Sequence, residues 1–166
     1  MKNLVNTTLC YIEKDGSYLM LHRTKKENDY NHDKWIGIGG KFENEESPED
    51  CAIREVHEET GLTILPNNLE YCGIVTFVDK SFDEPYTEFM HIFRTKEFSG
   101  TLSDCDEGEL EWVPISKMNE LPHWKGDEIF LDFLAENHPF FSLKLIYKDG
   151  ILQETILGGE KYNHWN

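Results

Sequence analysis

The sequence predicts an α/β (α+β) fold, a mixed β-sheet packed against a few helices. Three observations carry this. A β-hairpin pattern stands near each end of the chain, one sharply punctuated helix lies near position 50, and strand-like runs alternate with helix-like ones in between.

The elements follow in order. Thr7 to Glu13 is apolar and β-branched, Asp15-Gly16 is a turn signal, and Ser17 to Arg23 resumes an apolar run. Lys25 to Lys34 is polar and reads as a loop. Trp35-Ile36-Gly37-Ile38-Gly39-Gly40 reads as a strand end whose glycines let the backbone bend or approach a ligand. A helix comes next. Ser47 suits its N-cap, Pro48 its first turn, and Glu49 and Asp50 the positive end of its dipole. Ala52, Ile53 and Val56 supply buried positions, and Gly61 is the left-handed stop. Strands are expected at Glu70–Val78, Glu88–Thr95 and Glu109–Pro114, with a loop from Asp79 to Thr87. Ile115–Leu121 reads as a short helix, and Asp127–Glu136 as another, with Ile129, Phe130, Phe133 and Leu134 at helical spacing. Phe141–Tyr147, Asp149-Gly150 and Ile151–Leu157 form the second hairpin. Gly158 to Asn166 reads as a frayed tail.

The 166 residues suit a single domain, 1–166, with ordinary globular composition. The net charge of −16 argues against long nucleic acids as partners, because such a surface repels phosphate backbones. A small nucleotide remains compatible, since metal ions screen carboxylates locally. Cys10, Cys51, Cys72 and Cys105 form no CxxC pair and read as reduced thiols. Met1 to Asn6 lacks the apolar core of a signal peptide, and no stretch approaches the roughly 20 apolar residues of a membrane span. The expectation is a soluble, cytoplasmic protein.

Chemistry concentrates in Arg54-Glu55-Val56-His57-Glu58-Glu59. Glu55 and Glu59 lie one helical turn apart, with Glu58 beside them. Such crowded carboxylates repel one another unless a cation sits among them, and Mg²⁺ or Mn²⁺ suits oxygen ligands. Arg54 can pair with a neighbouring carboxylate and fix its rotamer. A solvated acidic helix face is the alternative for the glutamates alone. The full pattern is more selective: Gly40, five residues, Glu46, seven residues, Arg54-Glu55-Val56, one residue, Glu58-Glu59, one residue, Gly61-Leu62. In this the chain resembles the Nudix hydrolase family, whose box it fills at every defining position.

The resemblance implies a mixed sheet sandwiched between helices, with the box as loop–helix–loop. It implies metal-dependent attack of water on phosphorus in a nucleoside diphosphate linked to another group. By position it makes Glu55, Glu58 and Glu59 the metal-and-base glutamates, with Glu55 or Glu58 as the base, and the Gly39 carbonyl a metal ligand. Arg54 would orient a glutamate, and Glu46 would support the loop. The Trp35-x-Gly-x-Gly-Gly-Lys41 segment resembles the MutT-type branch. Leu19 to Arg23, Glu107 with Leu110-Glu111-Trp112-Val113-Pro114, and Pro139 to Ser142 resemble MutX-type 8-oxo-dGTP diphosphatases. Glu107 is then either a further metal ligand or an acidic loop residue beside Asp104 and Asp106. Trp124 and Asp127 fall where relatives hold the base by stacking and hydrogen bonding, with simple packing as the alternative for Trp124. Arg23 and Lys41 are candidate phosphate contacts or plain surface charge. His22, His57 and His91 show no zinc spacing with the cysteines.

Two departures bear on the base. Relatives carry an asparagine where this chain has Ile36, and two aspartates where it has Gly126-Asp127. The expected activity is Mg²⁺-dependent hydrolysis of a nucleoside triphosphate to the monophosphate and pyrophosphate, sanitising oxidised purines such as 8-oxo-dGTP before they reach DNA. Hydrolysis of ADP-ribose or a dinucleoside polyphosphate is a second reading, lowered by Phe77 where sugar-nucleotide enzymes usually carry a proline. A nucleotide sensor with little turnover is a third.

Overall fold

The computed structural model describes residues 4–165; Met1–Asn3, the first part of the N-terminal segment read above, and Asn166 lie outside the described residues. The elements run β1 (Leu4–Lys14), β2 (Ser17–His22), β3 (Trp35–Ile36), α1 (Pro48–Thr60), β4 (Glu70–Asp79), β5 (Tyr86–Thr95), β6 (Glu109–Pro114), α2 (Asp127–Ala135), β7 (Phe141–Lys148), β8 (Ile151–Leu157) and β9 (Glu160–Lys161). Two 3₁₀ turns, Pro66–Asn68 and Ile115–Glu120, complete the list. Among the described residues no helix is long and apolar enough to cross a membrane.

The strand order is β3-β2-β1-β5-β4-β7-β8-β9, with β6 on β2. β1 pairs parallel with β5, and β4 with β7, while the hairpin neighbours pair antiparallel, so the sheet is mixed. Both Asp-Gly turns do what their chemistry allows. Asp15 and Gly16 have φ of 50° and 75°, and Asp149 and Gly150 have 53° and 77°, the type I′ geometry that follows strand twist.

Alternation along the strands divides the core in two. Tyr11, Met20, Val75, Phe77, Ile92, Leu143 and Leu145 face α2, where Ile129, Phe130, Phe133 and Leu134 meet them. Cys10, Ile12, Leu19, Leu21 and Phe93 face the other way, onto Ala52 and Val56 of α1. The sheet is therefore sandwiched between helices.

The end of the chain corrects the expectation of a frayed tail. Gly158 and Gly159 turn the backbone at φ of 58° and 86°, and β9 pairs back on Ile156 and Leu157. Tyr162 packs against the α2 side of the core, and His164 Nε2 lies 2.6 Å from Asp132 Oδ2. The polar composition of this segment hides two ring anchors whose partners are distant in sequence.

The glycine-rich segment after β3 lies along β1. The Thr8 amide donates to Gly40 O at 2.9 Å, and Ile38 and Cys10 exchange hydrogen bonds of 3.1 and 2.6 Å. A Cβ on Gly39 would lie 1.7 Å from the Thr8 carbonyl oxygen, so only glycine permits this approach. Gly39→Ala is expected to destabilise the fold by about 3 kcal/mol or more, since backbone must move. Gly16→Ala should cost only about 1 kcal/mol, because its positive φ stands in open space. Urea denaturation of the two variants compares them; equal losses would contradict this packing.

Candidate active site

The chemistry begins with how α1 is held. Ser47 Oγ accepts from the Asp50 amide at 3.1 Å, and the Asp50 carboxylate accepts from the Ser47 amide at 3.0 Å, a full capping box. Gly61 ends the helix at φ 80°. Between these stops the inner face carries Cys51, Ala52, Val56, Glu59 and Thr60. Ile53 is only partly buried, so Cys51 takes the inner position expected of it. Glu55 and Glu59 share this inward face because they are four residues apart; His57 and Glu58 point out.

Glu59 is 8% exposed, and its Oε2 is buried with no hydrogen-bond partner among the described residues. Burial, reinforced by the negative charges of Glu107 and Glu55, pushes its carboxyl up to about 9; Arg23 opposes this. Burial also raises Glu55, against the pull of Arg54. Glu107 arrives from the loop before β6. Arg23 holds it, with Nη1 3.0 Å from Glu107 Oε2 and Nε 2.5 Å from Asp29 Oδ2.

Arg54 organises the outer side. Its guanidinium reaches Glu46 at 2.6 and 2.9 Å, Glu55 at 2.7 Å, Glu58 at 3.1 Å and the Lys41 carbonyl at 3.1 Å. The Glu46 carboxylate also accepts from the Glu43 amide at 2.7 Å, which closes the loop before the helix. Gly40 completes the packing: a Cβ there would stand 2.6 Å from the Glu55 carboxyl.

These groups open into a cavity of about 790 Å³. Glu55, Glu59, Glu107, Arg23, Gly39 and the exposed Lys41 line one part. Tyr30, Asn31, Phe77, Trp124 and Asp127 line another. Trp124 stands edge-on to Phe77 at 5.4 Å and Tyr147 at 5.1 Å, stacks with Tyr30 at 5.3 Å, and carries Lys34 Nζ 4.5 Å above its ring. Burial pushes Asp127 up to about 7, with His123 and Lys34 pulling it back.

A NUDIX domain profile matches residues 3–134. The chain belongs to the Nudix family. A Nudix hydrolase of Bacillus subtilis described as uncharacterized, YvcI, is 33% identical over 138 residues, covering 82% of each chain. The oxidized purine nucleoside triphosphate hydrolase of Danio rerio is 29% identical over 133 residues, covering 80% of this chain and 81% of its own. Among solved structures, a mutator MutT protein from Bacillus halodurans superposes with a TM-score of 0.80 at 27% identity, over 94% of this chain and 99% of that one.

The Nudix box is thus seen in three dimensions. Glu55 and Glu59 face inward, whereas the Glu58 side chain is 57% exposed and engaged by Arg54 at the rim. Glu107 lies half-buried close to Glu59. Arg23, read as a phosphate contact or as surface charge, lines the cavity and is paired with Asp29 and Glu107. Of the histidines read above as lacking zinc spacing, His22 stacks on Trp35 at 4.3 Å and His57 is exposed. Sequence reasoning missed Tyr30, Asn31 and Glu88 as cavity residues. A glutamate at an inward position of β5 was a usable signal for Glu88; the loop pair had none.

Nudix hydrolases generally use divalent metals such as Mg²⁺. The residues here fit such an ion, because an orphaned buried carboxylate oxygen between two further carboxyls asks for positive charge. Among the described residues no three acidic, histidine or cysteine side chains stand in a ready-made cage. A raised acid is a stability statement: the folded state holds its proton between about 4.5 and 9, so metal-free stability falls as pH rises through that window. Glu59→Gln is therefore expected to raise the metal-free melting temperature at pH 9 by about 2–8 °C and to remove the stabilisation by Mg²⁺. Thermal melts at pH 6 and 9, with and without Mg²⁺, read both; an unchanged response to Mg²⁺ would remove Glu59 from the ion.

Proposed function

We propose that this Nudix protein is a divalent-cation-dependent nucleoside triphosphate pyrophosphohydrolase that releases a nucleoside monophosphate and pyrophosphate, with oxidised purines such as 8-oxo-dGTP as substrates. One observation carries the reading. A single cavity joins buried carboxylates suited to a metal–triphosphate to an aromatic wall with a carboxyl suited to a base. The oxidized purine nucleoside triphosphate hydrolases of Danio rerio and Mus musculus, 29% and 27% identical, support it.

Glu59, Glu107, Glu55 and the Gly39 carbonyl would hold the cation, Mg²⁺ or Mn²⁺. When bound, such an ion neutralises phosphate oxygens and polarises the phosphorus. Glu55 is the proton acceptor of this chain: it faces the cavity, and burial makes its carboxylate more basic than an exposed one. It takes a proton from water as the oxygen attacks phosphorus and the anhydride P–O bond breaks. Arg54 fixes the Glu55 rotamer, and Glu58 is its counter-charge on the rim. Lys41, exposed at the cavity, meets the phosphates. Trp124 supplies a stacking surface, and Asp127, near neutrality in its titration, can donate to or accept from a base edge.

A substrate panel with Mg²⁺ tests the proposal, covering canonical and oxidised nucleoside triphosphates, ADP-ribose and diadenosine polyphosphates. The expected result is fastest hydrolysis of an oxidised purine triphosphate, with pyrophosphate as a product; faster cleavage of ADP-ribose would overturn it. Trp124→Ala is expected to raise KM about tenfold, a loss of about 1.4 kcal/mol of stacking, with a smaller change in kcat. An unchanged KM would take Trp124 out of the base pocket.

A further inference from the structure

The loop between β2 and β3 is tied down at several points. Arg23 N–H donates to Lys34 O at 3.0 Å and Asp33 N–H to Arg23 O at 2.7 Å, which closes its base. Asp29 binds Arg23 on one side and accepts the Asn31 amide at 3.1 Å on the other. The Tyr30 hydroxyl donates to Asp79 of β4. These ties hold the half-buried Asn31 side chain in the cavity wall, where its Oδ1 accepts from Trp124 Nε1 at 2.7 Å.

The orientation of that carboxamide follows from chemistry. An indole N–H can only donate, so the atom facing it must be the amide oxygen. The NH₂ group is left with two donors, and no acceptor pairs with it among the described residues. Asn31 is the one carboxamide among the residues lining the cavity, and its neighbour there, Ile36, is apolar. Tyr30 spends its hydroxyl on Asp79. The aromatic part of the cavity therefore presents amide donors from Asn31, together with the Asp127 carboxyl.

We infer that Asn31 is a specificity-determining residue, donating its side-chain N–H to the carbonyl of a 6-oxopurine and so favouring guanine-type over adenine-type bases. The inference rests on the nucleotide reading of this cavity. Guanine offers O6 as an acceptor, whereas adenine offers an amino donor at the same place. Two facing donors leave both unpaired and desolvated. Oxidation at C8 makes N7 a donor and leaves O6 an acceptor, so the preference carries over to the oxidised base.

Asn31→Asp separates this role from bracing Trp124. The carboxylate still accepts the indole N–H, but the donors are gone. Titrating dGMP and dAMP against tryptophan fluorescence measures base preference without turnover. The wild-type chain is expected to bind dGMP about tenfold or more tightly than dAMP, within the range of one good base contact. In Asn31→Asp the ratio is expected to fall to about one or to invert, with melting unchanged to within a few degrees. Asn31→Ala, which deletes brace and donors together, should also lose the preference and serves if the aspartate variant does not fold. A variant that keeps the wild-type ratio, or a wild-type chain that binds both equally, overturns the assignment. Faster cleavage of ADP-ribose than of any triphosphate overturns the triphosphate reading instead, and the monophosphate ratios still decide Asn31.

Discussion

Crowding of negative charge at the inner face of α1 is the constraint on which the rest of the site depends. Glu55 and Glu59 are forced inward by the same four-residue spacing that buries Ala52 and Val56, and Glu107 is brought against them from the β6 side. Two arginines make this tolerable without filling it. Arg54 holds Glu46, Glu55 and Glu58 from outside, and Arg23 holds Glu107 and Asp29 from the cavity. Neither reaches the buried oxygen of Glu59. Among the described residues the arginines balance the repulsion around Glu46, Glu55, Glu58 and Glu107 but leave it unrelieved at the buried oxygen of Glu59, where the proposed cation would sit.

The same network ties the carboxylate part of the cavity to its aromatic part. Arg23 directly follows β2 and starts the loop that carries Asp29, Tyr30 and Asn31. A side chain that pairs with Glu107 therefore also anchors the segment that dresses Trp124. The two parts of the cavity are mechanically joined through a few residues of loop rather than through the core. The sheet supplies the rigid floor beneath both, with Phe77, Tyr147 and Thr8 on strands that the helices clamp from either side.

Much of the fold was legible because its signals are local. Asp-Gly turns, the Ser47 cap, Pro48, Gly61 and strand alternation each act over a few residues, and the structure has them where the sequence put them. The frayed-tail reading failed where the signal was not local. Tyr162 and His164 are held by the core and by Asp132, and nothing beside them in sequence announces it. Glu58 shows the same limit at the site. It stands one 100° step short of Glu59 around the helix, and that step turns it to Arg54 and the rim.

The sequence by itself determined the family, the mixed sheet between helices, and the acidic helix with its caps, because fixed spacing on a regular helix or strand dictates which residues share a face. Only the tertiary structure decided that Glu107 comes up to Glu59, that Arg23 pairs with carboxylates, and that Asn31 accepts the Trp124 indole N–H. Those pairings join residues 84 and 93 positions apart, and long-range contacts of that kind are set by how strands and loops pack in space, which no local pattern records.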